Sequence, residues 1–323
     1  MNPEVIILAG LYDFAVDLVV AELSAIGTSY VRLNREQLSD YQLCLDPISS
    51  VLTIRSNSVD FVVTSDHLKA VWFRQPVFLR NTPSEALSLS EQLSRSQWSA
   101  FQRALTVFDE AAWMNHPQAT YLAECKPYQL MIARRCGFSV PKTLAGNDAG
   151  QFRAKFLDAV VIKSLDTVLL REGDNCLFTY TTISSSDALT EANTSAAPLF
   201  VQQLLDHKTD LRVTVVGDRI FAVKILVHGA GIEGDWRVAS RDSLTYVDVS
   251  LNPRTEAACI DLARQLHLPF AAIDLVETPN GVFFIEVNPT GEWGWLNTSE
   301  RRIDSAIANW LSRPVTHRNS PHA

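Results

Sequence analysis

The segment that most constrains the fold lies near the end of the chain, where two short apolar strands flank the turn Pro279-Asn280-Gly281. Proline suits the first central position of a turn, and glycine takes the left-handed conformation that closes a three-residue hairpin loop. With that loop Thr278 faces Val282 and, counting back by twos, Asp274 faces Glu286. The sequence therefore predicts two carboxylates opposite each other on one face of a β-hairpin.

Two carboxylates placed directly opposite each other on a sheet repel. Asn288 lies two residues beyond Glu286 and shares its face. Asp, Glu and Asn supply the oxygen ligands that Mg²⁺ accepts, and a hard cation between them reverses the repulsion. We therefore predict a magnesium site at Asp274, Glu286 and Asn288. The alternative is an ordinary solvated hairpin face.

The other face of the same hairpin is expected to pack into the core. Its predicted members are Ile273, Leu275, Phe283, Ile285 and Val287. A two-residue loop would shift this register by one position and move Asp274 to the core face. The metal prediction therefore depends on the register of the hairpin.

The length and charge of the chain limit its class. A chain of 323 residues is long enough for two or three domains. Its 47% apolar and 20% charged residues are typical of a globular protein with a sizeable core. The net charge of −8 argues against a broad nucleic-acid or anionic-membrane surface, while a local basic cleft remains compatible with it.

Cysteine usage and the N-terminus indicate the compartment. The five cysteines are scattered, without a Cys-x-x-Cys pair, which is typical of reduced thiols rather than a disulfide or zinc framework. The first ten residues have no basic region and only a short apolar run, unlike a secretion signal. No apolar stretch approaches the ~20 residues that a membrane span needs. We expect a soluble, cytoplasmic protein.

The order of strand and helix patterns predicts an α/β protein in three parts. It opens with a buried strand at 5–9, a helix and a second strand at 29–33. A long helix is expected at 85–112, with Ser84 as its N-cap. The predicted parts are an N-terminal α/β domain at 1–117, a central lobe at 118–197, a C-terminal lobe at 198–312 and a polar tail at 313–323.

The order of several short motifs resembles the ATP-grasp ligases over about residues 120–312. In chain order they are Lys126 before a helix, Gly-Phe-Ser-Val-Pro-Lys-Thr at 137–143, Val-Ile-Lys at 161–163, Val-Gln-Gln-Leu-Leu at 201–205, Asp-Leu-Arg-Val-Thr-Val-Val-Gly-Asp at 210–218, Ile-Asp at 273–274 and Ile-Glu-Val-Asn-Pro at 285–289. The resemblance implies an ATP-grasp fold, preceded by an N-terminal α/β pre-ATP-grasp domain, with ATP and Mg²⁺ bound between two lobes.

Three further segments resemble the peptide maturases of graspetide (microviridin-type) pathways. They are Val-Trp-Phe-Arg-Gln-Pro at 71–76, Asp-Trp-Arg at 235–237 and Asn-Pro-Thr-Gly-Glu-Trp-Gly-Trp at 288–295. Those enzymes join Asp or Glu side chains of a ribosomal precursor peptide to Ser, Thr or Lys side chains. The resemblance implies a peptide partner with leader and core segments, no nucleic acid and no membrane, and it leaves a homodimer open.

The resemblance also implies roles for individual residues. Phosphate-binding positions correspond to Lys126 and Lys163, and a weaker match to Lys224. The segment that reads the adenine edge corresponds to Gln202, Gln203, Leu204 and Leu205. The catalytic set corresponds to Arg212, Asp210 and Arg237, where a guanidinium fork suits a phosphate oxyanion. An ion pair between Arg212 and Asp210 in an ordinary hairpin is the alternative.

Other residues are candidates for contact with the peptide. They are Arg74, Arg171 and Trp293. Arg74 is as well explained by packing on aromatic side chains at a strand end, and Trp293 by core packing. The loop 164–174 departs from the family pattern because it contains one glycine, and Arg171 is expected to supply charge there.

Three functions fit this sequence. The first is an ATP-dependent macrocyclase that phosphorylates Asp or Glu side chains of a peptide and closes lactone or lactam rings. The second is an ATP-grasp ligase that acts on free amino acids or on a protein C-terminus. The third, of another class, is a nucleotide-binding regulator without catalysis, which the complete Asp274, Glu286 and Asn288 set disfavours.

Overall fold

The computed structural model describes residues 1–56, 59–77, 87–166, 169–172, 175–178, 181–232 and 234–313. At 169–172 and 175–178 it describes the backbone alone. Helices and strands are interleaved throughout, which confirms the predicted mixed fold class. None of the described helices is both long and apolar enough to cross a membrane.

The N-terminal part contains two sheets. Its elements are β1 (Val5–Ala9), α1 (Phe14–Ala25), β2 (Tyr30–Asn34), β3 (Gln42–Asp46), β4 (Val51–Arg55), β5 (Asp60–Thr64), β6 (Ala70–Phe73), α2 (Leu89–Ala104) and β7 (Ala112–Met114). One sheet is parallel with the order β2-β1-β6-β7, and the other is the antiparallel β3-β4-β5. A parallel sheet needs helices or sheets on both faces, and β1 is accordingly buried along its whole length.

The long helix expected at 85–112 is shorter. The predicted cap Ser84 lies outside the described residues. Ser88 caps α2 instead, and its side chain and that of Glu91 form a reciprocal capping box. Residues 105–107 form a 3₁₀ turn, and Ala112 begins β7. The apolar residues of 85–112 therefore belong to a helix, a 3₁₀ turn and a strand, and an apolar pattern alone did not separate these elements.

The central part surrounds a four-stranded antiparallel sheet with the order β12-β9-β13-β8. Its elements are α3 (Pro117–Ala123), α4 (Lys126–Arg135), β8 (Thr143–Gly146), α5 (Ala149–Lys155), β9 (Ala159–Lys163), β10 (Leu169–Glu172), β11 (Asn175–Phe178), β12 (Thr182–Ser185), α6 (Glu191–Thr194) and β13 (Leu199–Gln203). Strands β10 and β11 form a separate hairpin.

The C-terminal part is a five-stranded antiparallel sheet with the order β16-β15-β14-β17-β18. Its elements are β14 (Thr209–Val216), β15 (Arg219–Val227), β16 (Leu244–Asp248), α7 (Pro253–Gln265), β17 (Phe270–Thr278), β18 (Gly281–Asn288) and α8 (Ile303–Ser312). Helix α7 covers one face of this sheet. Helix α8 packs against α1, so the end of the chain shares a core with the N-terminal part.

The hairpin of β17 and β18 has a different turn from the one expected. Thr278 pairs with Gly281, so the loop has two residues, Pro279 and Asn280. A β-bulge then adds one residue to β18 between the partners of Asp274 and Leu275, and it brings Glu286 back opposite Asp274. The shorter turn and the bulge shift the register in opposite directions, so the predicted pair of Asp274 and Glu286 is present.

The bulge changes which phenylalanine enters the core. Phe284 is fully buried and pairs with Leu275, whereas Phe283, predicted to be a core residue, is half-buried. Beyond the bulge the predicted register holds, and Ile273 and Val287 are fully buried as expected. The hairpin therefore has two registers along its length.

Alanine substitutions test this register. We expect Phe284→Ala to lower the free energy of unfolding by about 3–5 kcal/mol, because it leaves a cavity in the core. Phe283→Ala should lower it by clearly less, because that side chain keeps partial access to water. Urea unfolding of the two variants checks this. A larger loss for Phe283→Ala would favour the three-residue loop.

Candidate active site

A cleft lies between the central sheet and the C-terminal sheet. Among the residues that line it are nine of the predicted site residues: Lys163, Gln202, Gln203, Leu204, Leu205, Asp210, Arg237, Asp274 and Glu286. Its volume is about 100 Å³, whereas ligand pockets are commonly ~300–1,000 Å³. The cleft is therefore narrow compared with common ligand pockets.

Two buried amide side chains fix the strand that carries Glu286. Gln129 of α4 donates to the carbonyls of Ala123 and Val287 and accepts from the amide of Val287. Asn115, just after β7, donates to the carbonyls of Phe270 and Pro289 and accepts from the amide of Phe270. The open end of the β17–β18 hairpin, where β17 begins and β18 ends, is thus tied to neighbouring elements.

The charge of Asp274 is balanced by two arginines. Arg212 Nη1 donates to Asp274 Oδ1 at 2.7 Å, and Arg237 Nη2 donates to Oδ2 at 2.9 Å. Burial by itself raises the pKa of Asp274, but the two guanidinium groups outweigh it and hold the pKa below its ordinary value. The sequence analysis invoked a metal ion to offset the repulsion between Asp274 and Glu286. In the structure the two arginines already compensate the charge of Asp274.

Arg237 is held in place on both sides. It also pairs with Asp235, which caps the short turn 236–238, and its guanidinium lies 5.1 Å from the ring centroid of Trp236. Burial disfavours its charged form, yet Asp274 and Asp235 outweigh this and raise the pKa of Arg237. The segment 235–237 thus presents a fixed positive charge to the cleft.

The predicted magnesium ligands differ in what they contact. Both oxygens of Asp274 accept from arginine, while within the described residues the side chains of Glu286 and Asn288 have no hydrogen-bond partner. No group of three or more His, Cys, Asp or Glu in that part of the chain could hold a metal ion. Two carboxylates and an amide nevertheless form an all-oxygen donor set, which fits Mg²⁺ once Asp274 exchanges its arginine contacts.

Two lysines of the central part lie at the cleft: Lys163 lines it, and Lys126 lies beside it. Removal from bulk water lowers the pKa of half-buried Lys163, Lys126 adds to this effect, and Glu286 opposes it. Lys126, at the start of α4, places its Nζ 3.5 Å from the carbonyl of Leu165, just beyond β9. It does not itself line the cleft. Like-charged lysines this close to each other favour an anionic ligand between them.

The predicted adenine segment leaves β13 and enters the cleft. The side chain of Gln202 is buried and donates to Thr143 Oγ1, so it supports the strand. Residues 203–205 continue along the cleft wall, with Leu204 and Leu205 beyond the last paired position of β13. An apolar wall beside main-chain groups that are released from the sheet suits a flat heterocycle.

Asp210 and Lys224 have partners that the sequence did not predict. Asp210 pairs with Lys208, and burial raises its pKa while Lys208 partly offsets this. Asp210 and Arg212 face the same side of β14, but they do not pair with each other. Arg212 pairs with Asp274 instead. Lys224 pairs with Glu277 at 2.7 Å and does not line the cleft.

Arg74 is in a different environment from the one expected. It is 1% exposed and donates from Nε to Asp13 Oδ2 at 2.9 Å. Its Nη1 donates to the carbonyls of Thr290 and Gly291, and its Nη2 lies 2.9 Å from Glu292 without hydrogen-bond geometry. Arg74 is therefore not a surface for a peptide. It joins the N-terminal part to the loop that follows Asn288.

The same loop is in contact with Arg212. Arg212 Nη2 donates to the carbonyl of Glu292 at 2.9 Å. A Cβ on Gly291 would lie 2.5 Å from Ala272 Cβ and 2.8 Å from Arg212 Nη2, so only glycine fits there. The loop thus contacts both Arg74 and Arg212, and Arg212 in turn binds Asp274.

The predicted tryptophan contact also changes. Trp293 is fully buried in the core that α1 and α8 share, so it does not wall the cleft. Trp295 is 37% exposed and packs on Trp236 and Tyr246, with ring centroids 5.8 and 4.6 Å apart. The side chain of Arg171 lies outside the described residues.

Several residues of the site had not been predicted. Lys208, Asp235 and Trp236 line the cleft, and Asp13 holds Arg74. The resemblance of residues 235–237 to the maturase motif could have indicated two of them, Asp235 and Trp236. Asp13 follows the end of a parallel strand, which is where polar site residues of α/β proteins gather, but nothing in the sequence linked it to residue 74.

The central and C-terminal parts form two lobes, and lysine, arginine and carboxylate side chains line the cleft between them. The chain belongs to the RimK-like ATP-grasp domain family, which matches residues 136–311, just over half of the chain. The predicted ATP-grasp resemblance is thereby confirmed. ATP-grasp ligases use ATP with Mg²⁺, as predicted for this chain.

Similar proteins are known from sequence and from structure. A probable alpha-L-glutamate ligase of Mannheimia succiniciproducens is 23% identical over 180 residues, which is 54% of this chain and 58% of that protein. A Chryseobacterium gregarium RiPP-associated ATP-grasp ligase, solved with ADP and a leader and core peptide, is 22% identical and superposes with a TM-score of 0.84 over 99% of this chain and 100% of its own.

A third similar protein has also been solved with a peptide. The macrocyclase MdnC from Microcystis aeruginosa MRC, bound with its precursor peptide MdnA, is 22% identical with a TM-score of 0.80, over 96% of this chain and 99% of its own. At these identities the structural likeness concerns the fold.

Removal of the Arg74 side chain should destabilise the protein. Arg74→Ala leaves the carboxylate of Asp13, also about 1% exposed, buried without its partner, and we expect a loss of about 3–5 kcal/mol in the free energy of unfolding. The matched control is Arg264→Ala, which removes an exposed arginine–aspartate pair with Asp218 and should cost less than about 1 kcal/mol. Equal losses in urea unfolding would contradict the buried bridge.

Proposed function

We propose that this protein is an ATP-dependent ligase that phosphorylates Asp or Glu side chains of a ribosomal precursor peptide. Ser, Thr or Lys side chains of the same peptide then displace the phosphate and close macrolactone or macrolactam rings. The family assignment supports the ligase class, and the remaining steps of the proposal concern the substrate.

The observation that carries the proposal is the extent of the structural match. The family match starts at residue 136 and describes the half of the chain that contains the cleft. The ligase solved with a leader and core peptide matches 99% of this chain, so the correspondence includes the N-terminal part as well. The whole architecture therefore supports a peptide substrate.

The reaction needs activation because a carboxylate is a poor electrophile. One of its oxygens attacks the γ-phosphorus of ATP, the bond to the β,γ-bridging oxygen breaks, and ADP leaves with the electron pair. The hydroxyl or amine then attacks the acyl carbon, loses its proton and displaces inorganic phosphate. Each ring closure thus removes one water from the peptide in total. Phosphoryl transfer of this kind depends mainly on positioning and charge neutralisation.

The cleft supplies fixed charges for this chemistry. Lys163, Arg237, Asp274 and Glu286 line the cleft. Lys126 acts on the charge of Lys163 from beside the cleft, and Arg212 binds Asp274. We assign the four cations to phosphate groups and to the acyl phosphate. Asp274, Glu286 and Asn288 are assigned to Mg²⁺, which neutralises phosphate charge when bound.

The aromatic side chains beside Arg237 are suited to the peptide. Trp236 lines the cleft, and Trp295 and Tyr246 extend the same wall outward. Trp295 is 37% exposed, whereas Trp236 and Tyr246 are half-buried. Aromatic side chains offer a large rigid contact area to a peptide chain. We assign this wall to the core segment next to the reacting carboxylate, the place given to Trp293 from the sequence.

A second function has an observation in its favour. The relative from Mannheimia succiniciproducens is named a probable alpha-L-glutamate ligase. An enzyme of that type adds an amino acid, so the acceptor gains mass instead of losing water. The cleft chemistry is the same in both cases, and the substrate alone distinguishes them.

Substitution of one carboxylate tests the assignment of the site. We expect Glu286→Gln to lower peptide-stimulated ADP release by about 100-fold or more, because one charged oxygen ligand is lost. Glu277→Gln is the control: it lies on the same hairpin, pairs with Lys224 and does not line the cleft, and it should keep full activity. Retained ADP release in Glu286→Gln would refute the metal assignment.

Mass spectrometry distinguishes the substrates. Incubation of the protein with ATP, Mg²⁺ and a candidate peptide encoded next to its gene should yield products lighter by whole waters. A product heavier by one or more glutamate residues would establish the second function. ADP release with neither change in any peptide would contradict both, and a protein that binds nucleotide without releasing ADP would be a regulator.

A further inference from the structure

The two arginines that bind Asp274 differ in how firmly they are held. Arg212 lies within β14, which pairs with a strand on each side, and its side chain is 5% exposed. Its Nη2 also donates to the carbonyl of Glu292 at 2.9 Å. The side chain of Arg237 is 42% exposed and belongs to the short turn 236–238 between β15 and β16. Its contact with Asp274 therefore costs less to break than that of Arg212.

Three carboxylates act on the guanidinium of Arg237. Its Nη2 donates to Asp274 Oδ2 at 2.9 Å, and its Nη1 donates to Asp235 Oδ1 at 3.3 Å. Burial lowers the pKa of Arg237, and the charges of Asp274, Asp235 and Glu286 more than offset this effect. Two of these three carboxylates, Asp274 and Glu286, are assigned above to Mg²⁺. A cation of the protein itself thus lies where the proposed metal ligands concentrate negative charge.

Arg237 and a metal ion compete for Asp274. The oxygen Oδ2 accepts from Arg237, and a second cation at the same oxygen would be repelled by the guanidinium. The other oxygen, Oδ1, accepts from Arg212 at 2.7 Å. Asp274 therefore offers an oxygen to a metal ion only when one arginine moves away. Arg237 is the more exposed of the two and the one outside a strand, so it is the one that moves.

The charges at the cleft nearly balance one another without a ligand. Of the described residues, four carboxylates and three cations line the cleft: Asp210, Asp235, Asp274, Glu286, Lys163, Lys208 and Arg237. Two further cations lie behind this lining, Arg212 on Asp274 and Lys126 beside Lys163. A divalent cation alone would add to an excess of positive charge, whereas a complex of metal and nucleotide is negative. The balance favours the entry of the two together.

We propose that Arg237 is an internal counter-ion, which holds Asp274 until magnesium and nucleotide bind and then moves from this carboxylate to phosphate. The inference rests on the proposed assignment of Asp274, Glu286 and Asn288 to Mg²⁺, and it adds an order of binding. Because Arg237 must leave Asp274 for the metal ion and then gains a partner in phosphate, each ligand lowers the cost of binding the other.

A fixed structural bridge is the alternative role for Arg237. In that case its removal would loosen the turn 236–238 and weaken the binding of every ligand of the cleft. A counter-ion predicts effects of opposite sign, because its removal frees Asp274 for the metal ion and takes a positive partner away from phosphate. Arg212 stays on Asp274 in such a variant, so the buried carboxylate keeps a partner.

Separate measurements of metal and nucleotide binding test this proposal. Mn²⁺, which shares the oxygen ligands of Mg²⁺, is titrated into the protein without nucleotide and followed by electron paramagnetic resonance. ADP is titrated in the presence of EDTA and followed by calorimetry. Arg237→Ala should bind Mn²⁺ about tenfold more tightly than the wild type and ADP about tenfold more weakly. Arg237→Lys keeps the positive charge and should stay closer to the wild type in both affinities.

The control variant is Arg264→Ala. It removes an arginine–aspartate pair with Asp218 in the same lobe, does not touch the lining of the cleft and changes the net charge equally. Both affinities should stay at their wild-type values. An equal gain in Mn²⁺ affinity in this variant would show a general charge effect and overturn the proposal. So would weaker binding of both ligands in Arg237→Ala, or an unchanged Mn²⁺ affinity there. Unfolding midpoints confirm that the variants fold.

A second substitution separates this inference from the metal assignment on which it rests. Arg237→Ala/Glu286→Gln should lose the Mn²⁺ binding that Arg237→Ala gains, because the metal ion loses a charged oxygen ligand. Retained binding in the double variant would place the ion elsewhere and refute the metal assignment. If instead Glu286→Gln removes Mn²⁺ binding in the presence of ADP while Arg237→Ala binds Mn²⁺ like the wild type, the metal assignment stands and the counter-ion role alone fails.

Discussion

The negative charge of Asp274 is the constraint around which the site is arranged. The residue lies in the middle of β17, directly opposite Glu286, and is largely buried. A buried carboxylate beside another carboxylate is stable only with positive charge in contact. Arg212 from the neighbouring strand and Arg237 from the segment after β15 supply it. The proposed reaction assigns the same two arginines to phosphate, so in that proposal stability and function depend on one set of charges.

The N-terminal part is structurally part of this site. Arg74 connects it to Thr290 and Gly291, Arg212 contacts the next residue of that loop, and Asn115 holds Pro289. Helix α8 returns to pack on α1. In the proposed reaction this loop would give the groups of the cleft a rigid support. Such support limits the misplacement of reacting groups, which in enzymes costs large factors in rate.

Prediction from sequence succeeded where local periodicity was sufficient. The buried strand predicted at 5–9 is β1, and all five of its residues are buried. Prediction left alternatives open where two elements from distant parts of the chain meet. Arg74 and Trp293 were candidates for contact with the peptide, with packing as the alternative, and both are buried. A loop more than two hundred residues away in sequence covers Arg74, and Trp293 lies in the core that α1 and α8 share. The alternation of apolar and polar residues along a strand does not show which distant segment packs on that strand.

The sequence by itself determined the types of residue and their order along the chain. Lysines come first, at helix and strand ends, an arginine follows, and the oxygen-bearing side chains of the last hairpin come last. These follow from local rules of spacing and from the chemistry of each side chain. Only the tertiary structure decided how the charges are shared. A two-residue turn and a compensating bulge set which groups face the cleft, and long-range packing gave Asp274 its arginine partners, because such contacts depend on distances that the linear chain does not contain.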